Sequence, residues 1–151
     1  MLNVTGLTKS FGSGSNKLHV LKGIEMEIEK GEMVALMGPS GCGKSTLLNI
    51  IGGLLPGDKG NITLDGRNYG LKGPSSVVDV RRDLVGWIFQ DFHLLDNLTA
   101  LDNVAMALEL SGMNSHEAVA ASEHALERVG FGDRMHHIPD QLSGGQQQRV
   151  A

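Results

Sequence analysis

The segment Gly38-Pro39-Ser40-Gly41-Cys42-Gly43-Lys44-Ser45 constrains the fold of this chain more than any other. It follows a continuous apolar run, Met33 to Met37, and leads into Lys44–Ile51, where Leu47, Leu48, Ile50 and Ile51 recur at helical spacing. A short run with no polar alternation predicts a strand buried on both faces, and the spacing after it predicts a helix facing inward. The sequence therefore predicts strand, glycine-rich turn and helix, the unit of an α/β fold. Gly41 and Gly43 let the backbone bend so that successive N–H groups point into one concavity. The helix behind them adds a positive end equivalent to roughly half a charge.

That arrangement suits an anion carrying several charges, and the residues that follow say which kind. Lys44 predicts an ammonium at the β- and γ-phosphates of a nucleoside triphosphate. The Ser45 hydroxyl predicts an oxygen ligand for Mg²⁺, and Thr46 a donor toward the α-phosphate. A dinucleotide-binding turn has no role for the pair Lys44-Ser45. Cys42 fills one of the free positions of this P-loop as a small residue. It is the single cysteine, so no internal disulfide is possible.

Around this unit the pattern is mixed and then becomes helical. Residues 2–8 predict a strand, 9–17 a loop rich in Gly and Ser, and 24–28 a half-buried antiparallel strand in which Ile24, Met26 and Ile28 alternate with glutamates. Gly31-Glu32 predicts a tight turn. Residues 61–65 predict another strand ending at Asp65-Gly66, 79–83 a helix, and 85–89 a second core strand that Gln90 terminates. Beyond it, Thr99 and Asp102 predict a capping box, with Leu101, Val104, Ala105 and Leu108 on one helical face. A further helix is predicted after Ser115, with Val119, Ser122, Leu126 and Val129 as its stripe and Gly130 as its cap. The switch near Gln90 divides the chain into a β subdomain with P-loop core, 1–90, and a helical subdomain, 91–151.

A net charge of -4 gives no bulk attraction to nucleic acid, and no such partner is expected. The N-terminus lacks the charged start and apolar run of a secretion signal. The longest apolar stretch, 47–55, is interrupted by Asn49, Gly52 and Gly53 and is too short to span a bilayer, so membrane association is expected only through a partner. The side chains of His136-His137 diverge and have no companion ligands, which predicts a solvated loop. Arg81-Arg82 is expected on a solvated helix face.

A second motif, Leu142-Ser143-Gly144-Gly145-Gln146, stands near the C-terminus. With the P-loop, with Gly86-Trp87-Ile88-Phe89-Gln90, with Phe92-His93-Leu94-Leu95 and with Thr99-Ala100-Leu101-Asp102-Asn103-Val104, it makes the whole chain resemble an ATP-binding cassette (ABC) transporter nucleotide-binding domain. The likeness is greatest to the ATPases of lipoprotein release and macrolide export. The resemblance implies an α/β P-loop NTPase core with an antiparallel β subdomain and a helical subdomain, incomplete at its C-terminus. It implies ATP and Mg²⁺ as ligands, held by Gly38, Ser40, Gly41, Cys42, Gly43, Lys44, Ser45 and Thr46. Phe11 takes the place of the aromatic that stacks on adenine. Gln90 takes the place of the glutamine that contacts Mg²⁺ or the attacking water, so Ser45 and Gln90 are the expected metal contacts and Lys44 and Gln90 the expected catalytic groups.

Ser143, Gly144, Gly145 and Gln146 take the place of the signature loop, which meets the γ-phosphate held by a second subunit in a head-to-tail dimer enclosing two ATP. Residues 91–98 are implied to face an integral-membrane permease, which would place the protein on the cytoplasmic side of the inner membrane. Phe92, Leu94, Leu95 and Leu98 form that docking surface or the core of the helical subdomain. The apolar strand ending in Asp-Glu and the switch histidine of such ATPases do not occur within these 151 residues, so the chain reads as a fragment. The full-length parent is expected to hydrolyse ATP to drive export or lipoprotein extraction, and the fragment to hydrolyse little alone. A soluble ABC protein without a permease and a non-hydrolysing nucleotide-binding module are the alternatives.

Overall fold

A computed structural model describes all 151 residues, Met1–Ala151. They form two compact units, Met1–Gly86 and Trp87–Ala151.

The first unit is built on a four-stranded antiparallel sheet in the order β2-β1-β3-β4. β1 is Leu2–Phe11, β2 Leu18–Ile28, β3 Lys59–Leu64 and β4 Arg67–Asn68. Leu2 stands opposite Ile28 on one side and Leu64 on the other, which fixes the register of the three long strands. Asp65 and Gly66 both have positive φ, 45° and 80°, the requirement of the tight turn that joins β3 to β4. Alternation along β1, reset by a bulge between Val4 and Leu7, puts Leu2, Val4 and Leu7 on one face. That face packs with Leu21, Ile62 and Tyr69 against Leu47 and Ile50 of α1 (Lys44–Ile51) and Val80 of α2 (Val78–Leu84). Leu48, expected inside, is 48% exposed, because the buried face of this short helix holds only Leu47 and Ile50.

β1 runs three residues beyond the expected strand, and Lys9 is what makes the extension possible. Its stem is buried beside Leu7, and its ammonium donates to the Pro56 carbonyl at 2.7 Å and to Asp58 Oδ1 at 3.1 Å. Asp58 Oδ2 accepts from the Ser10 amide at 2.7 Å. The hydrogen bond from Lys9 is the main cause holding the Asp58 carboxyl below its ordinary pKa. Elsewhere in this core, the buried Tyr69 hydroxyl donates to the Ile51 carbonyl, and burial pushes its pKa up to about 12.

Two expectations fail in the same way. Residues 33–37 and 85–89 were expected as core strands, and neither joins a ladder. Met33 is 100% exposed, Met37 86% and Ile88 73%. An extended apolar segment is buried on both faces only when strands flank it, and no segment of these 151 residues pairs with either one. Arg81 is also not solvated. Its guanidinium donates to the carbonyls of Gly53 and Pro74, tying α2 to the end of α1, while Arg82 lies on the exposed face and pairs with Asp79 and Asp83.

The second unit contains α3 (Ala100–Leu110), α4 (Ser115–Arg128) and α5 (Gly144–Val150) around Leu101, Leu126, Phe131, Leu142 and Val150. The expected capping box is present: the Asp102 amide donates to Thr99 Oγ1 at 3.1 Å and the Thr99 amide to Asp102 Oδ2 at 3.3 Å. Asn114 caps α4 by accepting from the Glu117 amide at 3.0 Å. Gly130, at φ 68°, closes it: the Phe131 amide reaches the Leu126 carbonyl and the Gly130 amide that of Glu127, both at 2.9 Å. The stripe of α4 differs from the expected one. Ala118, Ser122 and Leu126, spaced by four, are buried, and Val119 and Val129 flank them at 37% and 42% exposure. The Ser122 hydroxyl is satisfied by the Ala118 carbonyl at 2.7 Å.

The Asp58 tie predicts a pH dependence. A carboxyl whose folded pKa lies below its unfolded value contributes stability that is complete above the unfolded value and is lost as pH falls through the folded one. Below about pH 4, the ordinary carboxylate range, the stability of Asp58→Asn should fall less steeply than that of the parent chain. Urea unfolding midpoints measured between neutral and acidic pH would show it, and parallel curves would count against the tie.

Candidate functional site

The strand–turn–helix expectation holds for the turn and the helix. Gly43, at φ 100°, is the N-cap of α1, and the first intrahelical bond runs from the Leu47 amide to its carbonyl at 2.9 Å. The amides of Lys44, Ser45 and Thr46 therefore have no acceptor within the helix and point out of its N-terminus. Gly41 adopts φ 79° and Gly38 φ 154°, so the loop needs left-handed backbone where the sequence supplies glycine. The Lys44 ammonium folds over the loop, donating to the carbonyls of Gly38 at 2.7 Å and Pro39 at 2.8 Å, with Cys42 Sγ at 3.7 Å.

An open concavity of about 520 Å³ lies here, lined by Ser40, Gly41, Gly43, Lys44, Ser45, Thr46 and Val20. Of the residues expected to cradle a nucleotide, Gly38, Cys42 and Phe11 are not on its wall. Cys42 turns toward Gly38, where an added Cβ would stand 2.9 Å from its sulfur. Phe11 ends β1, is 42% exposed, and has the Lys9 ammonium 5.6 Å from its ring centre.

Val20 was missed by the sequence reading. β1 residues Lys9 and Ser10 pair with Leu21 and His19, so Val20 is the extra residue of a bulge in β2. A bulge turns its side chain away from the regular alternation, and Val20 is delivered to the concavity. The same bulge explains Gly43, because a Cβ there would lie 2.9 Å from Val20 Cγ1 and 3.1 Å from Leu21 Cδ2. A lone valine among alternating residues carries no sequence signal for this role; the pairing register alone reveals it.

The remaining expected site residues lie in the second unit. Gln90 is exposed, in a turn after residues 85–89. Phe92 and His93 both adopt positive φ, 59° and 55°, and the His93 ring meets Phe89 edge-on at 4.5 Å. Ser143 is the N-cap of α5, and Gly144 and Gly145 in its first turn are exposed. Gln146 Oε1 accepts from the Ser143 amide at 2.8 Å, so this glutamine anchors the turn from within. Gln147, which the sequence reading did not single out, donates to the carbonyls of Pro139 at 2.9 Å and Leu142 at 3.2 Å.

Segment 91–98 holds both a packed and an exposed leucine. Leu94 packs on the core of this unit, whereas Leu95 is 46% exposed. Phe92, Leu94 and Leu95 line an apolar groove of about 360 Å³ with Trp87, Val104 and Leu110. Asn103 holds the segment's end, donating to the carbonyls of Leu95, Leu98 and Thr99 and accepting from the Leu95 amide. His136 and His137 join no group of three residues able to hold a metal ion.

Comparison with known proteins decides the family. The family described as ABC transporter matches residues 21–151. The chain belongs to the ABC transporter family. It is 45% identical, over all 151 residues, to an uncharacterized ABC transporter ATP-binding protein of Methanocaldococcus jannaschii, covering 67% of it. It is 42% identical to the lipoprotein-releasing system ATP-binding protein LolD of Geobacter metallireducens, covering 67%, and 44% identical to macrolide export ATP-binding/permease protein MacB 1 of Aeromonas hydrophila, covering 23%. The ATP-binding cassette MJ0796, solved as a dimer in a post-hydrolysis state bound to ADP and Pi, superposes with a TM-score of 0.88 at 37% identity, over 99% of this chain and 66% of that one. The chain thus spans about two thirds of these single-cassette relatives and a quarter of the exporter. The match establishes the expected fold, an α/β P-loop ATPase cassette.

Gly43→Ala tests the close approach at the loop. It places a Cβ in a left-handed position and against Val20. It should cost about 1–3 kcal/mol, read as a lower unfolding midpoint, and a variant as stable as the parent would show that β2 yields freely.

Proposed function

We propose that this chain is the nucleotide-binding part of an ABC transporter ATPase and that its P-loop binds ATP with Mg²⁺. The observation that carries the reading is the convergence, around one concavity, of the acceptor-free amides of residues 44–46, the Lys44 ammonium and the hydroxyls of Ser45 and Thr46. Those groups neutralise and hydrogen-bond phosphate oxygens at a helix N-terminus. Ser45 lines the concavity with a hard oxygen donor, the chemistry that Mg²⁺ selects, and Gln90 is its second proposed contact. The cation would screen the phosphate charge. Lys44 exchanges two loop carbonyls for phosphate oxygens, Val20 supplies an apolar wall, and Phe11 is the proposed platform for adenine.

Two copies are proposed to close head to tail on two nucleotides. The exposed turn Ser143-Gly144-Gly145-Gln146 of each would meet the γ-phosphate on the other's P-loop, since it too presents small residues at a helix start. The solution of MJ0796 as a dimer supports this reading. No helix of the chain is long and apolar enough to cross a membrane. Its proposed place is at the cytoplasmic face of the inner membrane, held by a permease at residues 91–98 and driving export or lipoprotein extraction. The names of the related lipoprotein-releasing and macrolide-export proteins support that assignment. Residues 1–90 and 91–151 are the proposed nucleotide-binding and permease-facing subdomains. No Asp-Glu pair occurs in the 151 residues, so they are proposed to bind ATP and to turn it over slowly when alone.

Lys44→Ala should weaken ATP binding about 10- to 100-fold, the worth of one or two charge-assisted hydrogen bonds, in a calorimetric titration with Mg²⁺. Affinity equal to the parent's would exclude the P-loop as the site. Ser143→Arg should leave that affinity within about twofold, less than the worth of one hydrogen bond, and abolish ATP-dependent dimerisation seen by light scattering. Dimers that still form would remove the signature turn from the interface.

A further inference from the structure

A second concavity opens on the face of the sheet opposite the first unit's core. Thr8, in β1, is paired with Lys22 of β2 on one side and Lys59 of β3 on the other. Directly opposed residues of antiparallel strands point to the same face, and Leu7 and Lys9 point to the other, buried one. The two ammoniums therefore rise from one row, their Cα atoms about 10 Å apart across two strand spacings. In the next row Ser10 is paired with His19, and its hydroxyl lies 3.0 Å from His19 Nδ1. Lys17 stands at the open end. Together these residues line a concavity of about 510 Å³.

The charge at this concavity is unbalanced. None of Lys17, Lys22 and Lys59 is in an ion pair. The single carboxylate on the wall, Asp58, is already engaged by Lys9 from the buried side and by the Ser10 amide. Three free ammoniums thus converge in a chain whose net charge is -4. Like charges within about a Debye length of one another repel, and a bound anion would relieve that repulsion. The donors are ammoniums and hydroxyls, which act on phosphate as point charges and single donors; the planar fork of arginine that matches a carboxylate is absent from the wall.

We propose that this face binds a small free anion carrying two or more phosphate groups, independently of the P-loop. The residues that would hold it are Lys22 and Lys59 across the span, Lys17 at the mouth, and the Thr8 and Ser10 hydroxyls beneath. The site does not rest on the nucleotide reading, because its wall shares no residue with the P-loop concavity.

The test is an NMR titration of the whole 151-residue chain with inorganic tripolyphosphate, at two salt concentrations. The expected result is saturable amide shifts at Thr8, Ser10, His19, Lys22 and Lys59, weaker at higher salt. In Lys22→Gln/Lys59→Gln, which changes only exposed side chains, the affinity read from those shifts should fall about tenfold or more. Shifts at residues 38–46 should stay unchanged. Shifts that are absent or do not saturate on the outer face, or that survive the double substitution, would overturn the site. So would co-sedimentation with phosphatidylglycerol vesicles in the absence of tripolyphosphate binding, which would assign the lysines to a lipid surface. No shifts at 38–46 in the parent chain, with outer-face shifts that saturate there and are lost in the double substitution, would count against the P-loop reading and support this one.

Discussion

The contact between Gly43 and the β2 bulge sets the position of everything chemical in the first unit. Gly43 ends the loop, caps α1, and lies so close to Val20 and Leu21 that no side chain fits between them. One glycine therefore fixes three things. It sets the helix start and with it the direction of the free amides, it sets the distance from helix to sheet, and it admits Val20 to the concavity. The bulge serves both sides of the strand. By inserting one residue between the partners of Lys9 and Ser10 it turns Val20 toward the loop, and it leaves His19 and Lys22 on the opposite face with Ser10 and Thr8.

The polar ties follow one rule in both units. Arg81, Asn103 and Gln147 each donate to two or more backbone carbonyls in segments outside the long helices and strands, and Lys9 donates to one such carbonyl and to the Asp58 carboxylate. Such segments have carbonyls that no ladder or helix uses, and a buried carbonyl without a donor costs free energy comparable to a lost hydrogen bond. A long side chain with several N–H groups settles two such debts from one position. In Lys9 and Arg81 the charge adds strength at a part-buried site; in Asn103 and Gln147 the amide provides direction without the cost of desolvating an ion.

What the sequence made legible is what short range decides. Thr99 with Asp102, Gly130 after α4, Asp65-Gly66 between β3 and β4 and the glycines of the loop all act within about four residues, and each appears where its chemistry places it. The α4 stripe was misplaced by one step because 119 and 129 flank the line of 118, 122 and 126 closely enough to share its periodicity. Which of two adjacent lines is buried depends on what packs against the helix. The carbonyl ties escaped notice for a different reason. Their acceptors are backbone groups up to 47 residues away, and a backbone carbonyl has no letter in the sequence. Val20 escaped because a bulge is a property of two strands in register.

Residues 33–37 and 85–89 show where that limit matters most. Their composition is apolar as expected of core strands, yet the chain has no regular structure there; burial required neighbours that composition does not contain. Each segment runs directly into a proposed contact with nucleotide, Gly38 after Met37 and Gln90 after Phe89. A strand with ladders on both sides holds the residue at its end to a fraction of an ångström, whereas an unpaired one transmits no such restraint. The loop amides are aimed by α1 and β2, which are in place. The entry to the loop and the Gln90 turn follow segments that no ladder holds. The contacts that aim the loop amides thus lie within residues 18–51, whereas the ends of 33–37 and 85–89 are held by no ladder.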